Sequence, residues 1–189
     1  MKKTIFMLSA MAMLGFSSCS KKVSVQKSED MVEIKEPFSG SEFRSDKEFF
    51  RAVGQAKSQD GGFAKTKSET EARARLAASI KSDIKRVVQK YASEYSVNQA
   101  QEFQDKTQDM ILDVTNQSLQ DVRTMDQKTF KSKDGSYIAY TAIEANKETV
   151  YNGIKHKISS DAKLRVDFQE AQFKKVFDEE MKKFSEEGK

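Results

Sequence analysis

Cysteine is almost missing from this chain: Cys19 is the only one in 189 residues. A lone thiol excludes an intrachain disulfide, so stability must come from a packed core. Histidine is as scarce. His156, between Lys155 and Lys157, is the only one, and one imidazole cannot assemble a zinc site. As a general base it would need an orienting partner and a nucleophile, and no G-x-S-x-G motif is present. Calcium loops of D-x-D-x-D-G spacing are lacking, and Gly61-Gly62 has no phosphate-loop surroundings. Carboxylates cluster at Glu69 and Glu71, at Asp178-Glu179-Glu180 and at Glu186-Glu187, always among lysines in helical text. That is a poor setting for the raised pKa that acid catalysis needs. No apolar run approaches the ~18 residues of a transmembrane helix. Charge is nearly balanced, 33 basic residues against 29 acidic, leaving no long-range field for nucleic acid. The expectation is a protein without catalysis, metal, cofactor or nucleic-acid partner.

What is present begins at the N-terminus. Lys2 and Lys3 precede an apolar run from Ile5 to Phe16, followed by Ser17, Ser18 and Cys19. That order is a secretory signal. Its end resembles the lipobox of bacterial lipoproteins, with Phe16 where an aliphatic residue is usual. The resemblance implies that residues 1–18 are a signal peptide and that Cys19 becomes the acylated mature N-terminus. Membrane attachment through three acyl chains is then effectively permanent. Residues 19–40 read as the lipidated start and a flexible tether, ending near the chain's only proline, Pro37. Residues 41–189 read as one domain. Loss of Lys2 and Lys3 lowers the net charge from +4 to +2. Ser20 after the cysteine is similar to lipoproteins sent to the outer membrane, and Lys21-Lys22 lacks an acidic surface-export stretch. The expected location is the outer membrane, facing the periplasm.

The domain's elements follow from periodicity. Glu48 to Lys57 alternates, with Phe49, Arg51 and Val53 on one face and Phe50, Ala52, Gly54 and Ala56 on the other. The small second face invites close helix packing. Ala72, Leu76, Ile80, Ile84, Val87, Val88, Tyr91 and Tyr95 recur at helical spacing, which predicts a helix over 63–95. Asn98 and Gln101 have capping-box spacing, and a second helix should run to about 122, antiparallel to the first. Strands are expected at 123–131 and 137–144 around Asp134-Gly135, a hairpin signal. The last strand, apolar on both faces, should be central. Asn146 is placed to cap a C-terminal helix that runs to about 185 and breaks near Ser159-Ser160-Asp161. The fold class is α+β: a three-stranded antiparallel sheet, a long αα-hairpin and a C-terminal helix, in the order β-α-α-β-β-α.

The strand Phe50-Arg51-Ala52-Val53-Gly54-Gln55-Ala56, followed after a spacer by Glu71-Ala72-Arg73-Ala74-Arg75-Leu76-Ala77-Ala78, resembles the LPP-twenty family of bacterial lipoproteins. These are the 20-kDa membrane-associated type, and the domain is also similar to the N-terminal domain of flagellar H-ring protein T. The segments Pro37 to Gly40 and Asp46 to Phe50 look like Bacteroides-type members. The resemblance spans roughly residues 37–184. It implies an envelope lipoprotein domain with no catalytic residues to carry over.

The functional expectation is a lipid-anchored interaction or structural module with an envelope protein as partner. A three-stranded sheet has edges that can accept a partner strand. If the first strand is an edge, Phe49, Arg51 and Val53 mark that contact. The alternative is a small-ligand or glycan-binding domain, with Tyr91, Tyr95, Tyr137, Tyr140 and Tyr151 as groove candidates. Arg73 and Arg75 could contact an anion, but are expected to lay their stems along the sheet edge while their heads reach solvent or a helix carboxylate.

Overall fold

Small residues decide how closely the first helix lies on the sheet. In the computed structural model, which describes residues 34–95, 100–165 and 168–187, strand β1 (Phe49–Ser58) leads into helix α1 (Gly61–Tyr95). At Gly54 a Cβ would lie 2.1 Å from the Ser68 carbonyl oxygen and 2.3 Å from the Ala72 nitrogen. The two backbones therefore touch, which only glycine on the strand and small residues on the helix permit. Residues 1–18, Cys19, most of the tether and Asn98 of the capping box lie outside the described residues.

The chain continues through α2 (Ala100–Lys106), α3 (Gln108–Ser118), β2 (Arg123–Lys131), β3 (Tyr137–Asn146), α4 (Lys147–Ser160), α5 (Ala162–Arg165) and α6 (Glu170–Glu187). The sheet order is β1-β3-β2, all antiparallel, with β3 central. This is the α+β architecture and element order that the sequence implies. β3 is buried over Ala139 and Thr141–Ala145, whereas β2 is exposed over nearly its whole length.

Three details differ from the sequence reading. The helix expected to end at about 122 is two helices, parted at Thr107, and stops at Ser118. There the Thr107 N–H is shared between the Phe103 and Gln104 carbonyls, and the Thr107 hydroxyl also donates to the Gln104 carbonyl at 2.8 Å. The hairpin turn has positive φ only at Gly135 (83°). Gly135 N–H donates to Ser132 O, and Ser132 N–H to Ser136 O, the three-residue loop with a left-handed third position. Asp134 instead accepts from the Ser136 amide and hydroxyl. Finally, the compact unit begins at Lys35 rather than at 41. Phe38 is 7% exposed, packs on Phe43 at 4.7 Å and lies beneath Lys128. It does so at φ 62°, a strained conformation for an aromatic residue that its burial maintains.

Helix α1 is roughly 52 Å long and the ten-residue strands roughly 33 Å, so α1 overhangs the sheet. Beneath the sheet the contacts are small: Ala72 and Gly54, Ser68 and Thr141. Beyond it the core is aromatic. Tyr91 meets Phe103, Phe168 and Phe173 within 6.4 Å, and its hydroxyl accepts the Gln169 N–H. Lys90 ties the overhang to α6 by contacts with Glu179 and Glu180. The hydrogen bond to Glu179 leads in raising the Lys90 pKa. At the start of α4, Asn146 Oδ1 accepts from the Glu148 and Thr149 amides, the expected cap.

Candidate interaction site

Phe49, Arg51 and Val53 do share one face of a strand that is an edge of the sheet. In the β1–β3 ladder, Lys147 N–H donates to Glu48 O, so the even residues of β1 bond β3. Phe49, Arg51, Val53, Gln55 and Lys57 turn their amides and carbonyls outward. The half of that edge nearer Phe49 is occupied by the chain itself. Phe49 N–H donates to Asp46 Oδ1, and Asp46 N–H to Phe49 O. Arg51 N–H donates to Ser45 Oγ, which donates back to Arg51 O. Val53 O accepts from Arg75 Nη1. Both main-chain groups of Phe49 and Arg51 and the carbonyl of Val53 are thus engaged before any partner arrives.

The side chain of Arg51 is engaged too. Its Nε donates to Glu144 on β3 at 2.9 Å and its Nη1 to Asp46 and Arg44 O. Glu144, 3% exposed, also accepts from Arg123 on β2. One buried carboxylate therefore joins all three strands. Burial alone would lower the Arg51 pKa, but the hydrogen bonds to Asp46 and Glu144 outweigh it and hold it above its ordinary value. Asp46 is also partly desolvated, yet the Glu48 and Phe49 amides and Arg51 hold it below its ordinary value.

The opposite edge is different. Ser132 and Ser136 pair at the hairpin, so Lys128 and Phe130 bond β3, while Gln127, Thr129 and Lys131 face their backbone outward. The Gln127 N–H donates to Asp126 Oδ1 at 2.7 Å, and among the described residues no group bonds the outward amides and carbonyls of Thr129 and Lys131. β2 carries a bulge between Thr124 and Asp126 and lysines at 128 and 131, devices that guard an edge against indiscriminate pairing. The cover over Phe49 and Arg51 comes from Ser45 and Asp46, a contact that periodicity does not show. β2 is the strand with the fewest apolar residues.

The other candidates disperse. His156 is exposed on α4. Arg73 bonds Glu69 and Leu119 O, and Arg75 bonds Glu71 and Val53 O, as expected of carboxylate-seeking heads. Tyr91 is core, Tyr151 lies against Phe177, and Tyr140 meets Phe130 on the far face of the sheet, so the tyrosines share no groove. A groove of about 420 Å³ runs between α1 and α2–α3, lined by Lys81, Lys85, Gln89, Gln104 and Ile111. Among the described residues no three His, Cys, Asp or Glu side chains are grouped to hold a metal. Nor is any described helix long and apolar enough to cross a membrane. No protein-family pattern, curated protein or solved structure matches this chain.

Proposed function

We propose that this chain is a lipid-anchored envelope protein that works without catalysis, as an interaction module offering the β2 edge to an extended segment of an envelope protein. The observation that carries the reading is the asymmetry of the two edges. Ser45, Asp46 and Arg75 cover the outward backbone of Phe49 and Arg51 and the Val53 carbonyl on β1, while on β2 the Gln127 N–H is held by Asp126 and the outward backbone of Thr129 and Lys131 has no bonding partner among the described residues. Main-chain hydrogen bonds to such an edge supply affinity, and alternate side chains supply selectivity. Lys128 and Lys131 favour a partner strand with acidic residues. The lipobox-like Cys19 and the resemblance to LPP-twenty lipoproteins support attachment to the outer membrane on its periplasmic side.

Two experiments test this. Cys19→Ser should abolish incorporation of a fatty-acid analogue; a variant still acylated refutes the anchor. For the edge, a photo-crosslinking residue at Gln127 in intact cells should give a discrete adduct, and one at Val53 should not. Thr129→Pro removes an outward N–H while leaving the β3 ladder intact, and should erase the adduct. An adduct that persists in that variant, or arises equally from Val53, rules out strand addition at β2.

A further inference from the structure

We infer that the hairpin end of the domain is a membrane-contact face that settles on anionic phospholipid, a reading that rests on the lipid anchor proposed above. Both exposed phenylalanines of the described residues sit at this end: Phe63, 58% exposed on the first turn of α1, and Phe130, 47% exposed near the end of β2. Topology puts them there together. Ser58 pairs with Tyr137 and Lys131 with Tyr137, so the end of β1, the start of α1 and the β2–β3 loop share one end of the sheet. Gly61 lies against the Tyr137 ring, which fixes the helix start there.

Charge at this end is one-sided. Lys57, Lys65, Lys67, Lys131 and Lys133 are all exposed, against Asp60 and Asp134. Both acids are already used. Asp134 pairs with Lys57 at 2.8 Å, and Asp60 accepts the Phe63 N–H at the helix start. Lys67 lies 5.7 Å from the Phe63 ring and Lys131 5.5 Å from Tyr137, so cation and aromatic surface are interleaved. Aromatic rings at headgroup depth flanked by lysines are what an anionic interface selects.

The path of the chain points the same way. Glu36 is near enough to Tyr140 to raise its pKa, after burial, the larger cause, and Phe38 lies under Lys128. Ser45 and Asp46 then reach Arg51 and Phe49 at the far end of β1. The compact unit is therefore entered from its hairpin half. Cys19 and Lys35 are 16 positions apart, a reach of at most about 55 Å fully extended. An acylated Cys19 would hold this end at high local concentration over the lipid.

The chain contains no tryptophan, so single reporters are available. The full acylated chain carrying Phe63→Trp, Phe130→Trp or, as a control beside the α1–α3 groove, Leu112→Trp is incorporated into phosphatidylcholine vesicles with and without phosphatidylglycerol, all containing brominated lipid. Emission from positions 63 and 130 should be quenched and blue-shifted when phosphatidylglycerol is present, and position 112 should not respond. Lys131→Glu with Lys133→Glu should abolish the quenching, as should 1 M salt, where the Debye length is about 3 Å. A chain that stays on the vesicles with reporters 63 and 130 unquenched, or quenched equally without phosphatidylglycerol, overturns this inference and leaves the anchor standing. A chain that does not associate with vesicles at all removes both.

Discussion

Gly54→Ala should be the most damaging single-methyl addition in this protein. The new Cβ would stand 2.1 Å from the Ser68 carbonyl oxygen and 2.3 Å from the Ala72 nitrogen. Both are main-chain atoms, so no rotamer change relieves the clash. Restoring an ordinary 3.4 Å contact requires α1 and β1 to part by about 1.3 Å. That movement also loosens the Ser68–Thr141 hydrogen bond and the fully buried Ala72 and Leu76 below it. Overpacking of this kind costs about 3 kcal/mol, the upper end of its usual range. For a domain of this size each kcal/mol moves the melting temperature by about 2–4 °C, so a drop of about 6–12 °C is expected. Gly153→Ala on α4 is the internal control. Its Cβ would meet Val114 methyls at 3.4 and 3.8 Å, ordinary contact, and alanine gains about 0.5–1 kcal/mol over glycine in a helix. Thermal melts followed by far-ultraviolet circular dichroism compare the pair. If Gly54→Ala melts with or above the parent, the backbones do not touch and the account of α1 on the sheet is wrong.

Three further expectations follow from the polar contacts. Gln127 Nε2 donates to Thr141 Oγ1, whose hydroxyl donates to Ser68 Oγ, which donates to Lys65 O. Thr141→Val breaks this directed chain and should cost about 1–2 kcal/mol by urea unfolding; a neutral result would mean that the chain contributes nothing. Glu144→Gln should cost about 3 kcal/mol, the low end for a broken buried pair because Asp46 and Arg44 O still hold Arg51. Arg123→Ala, whose side chain is 74% exposed, should cost less than about 1 kcal/mol. Equal losses in the urea midpoint for these two variants would contradict the central role of Glu144. Acid should also weaken the fold. Asp46 is held below its ordinary pKa, burial being outweighed by the Glu48 and Phe49 amides and Arg51. Glu180 is lowered likewise, burial being outweighed by Lys183 and Lys90. The unfolded chain therefore binds more protons as pH falls below about 4, the ordinary carboxylate range. Urea midpoints should be level above that range and decline through the lowered values. A midpoint that rises on acidification would reverse the assigned sign.

Much of the fold could be read from local text, for identifiable reasons. The Gly and Ala face of β1 and the apolar stripe of α1 are periodic signals that tertiary packing reinforced. β3 was legible as central because both of its faces are apolar. Asn146 was legible as a cap because nothing competes for its side chain. What escaped depended on contacts distant in sequence. The helix is parted at Thr107 in a stretch whose apolar spacing continues unbroken. Asp134 satisfies its turn with its carboxylate, so the Asp-Gly pair gave the place of the hairpin but not its loop. The cover over the β1 edge was not legible because Ser45 and Asp46 lie in a stretch without periodicity. Their work on Phe49 and Arg51 is visible only once the chain has turned back on itself.

That backward turn has a mechanical consequence. Load applied at Lys35 enters the sheet along the strap from Lys35 to Asp46. This strap is held by the Phe38–Phe43 contact, by Phe38 beneath Lys128, by the Ser45 and Asp46 bonds to the β1 backbone and by the Arg51 guanidinium on Asp46 and the Arg44 carbonyl. It also contains Phe38, the one non-glycine residue with positive φ among those described. Under tension these few short-range bonds open one by one, before the ten-residue β1–β3 register bears any force. The strap therefore behaves as a fuse, lengthening the leash while the domain behind it stays folded.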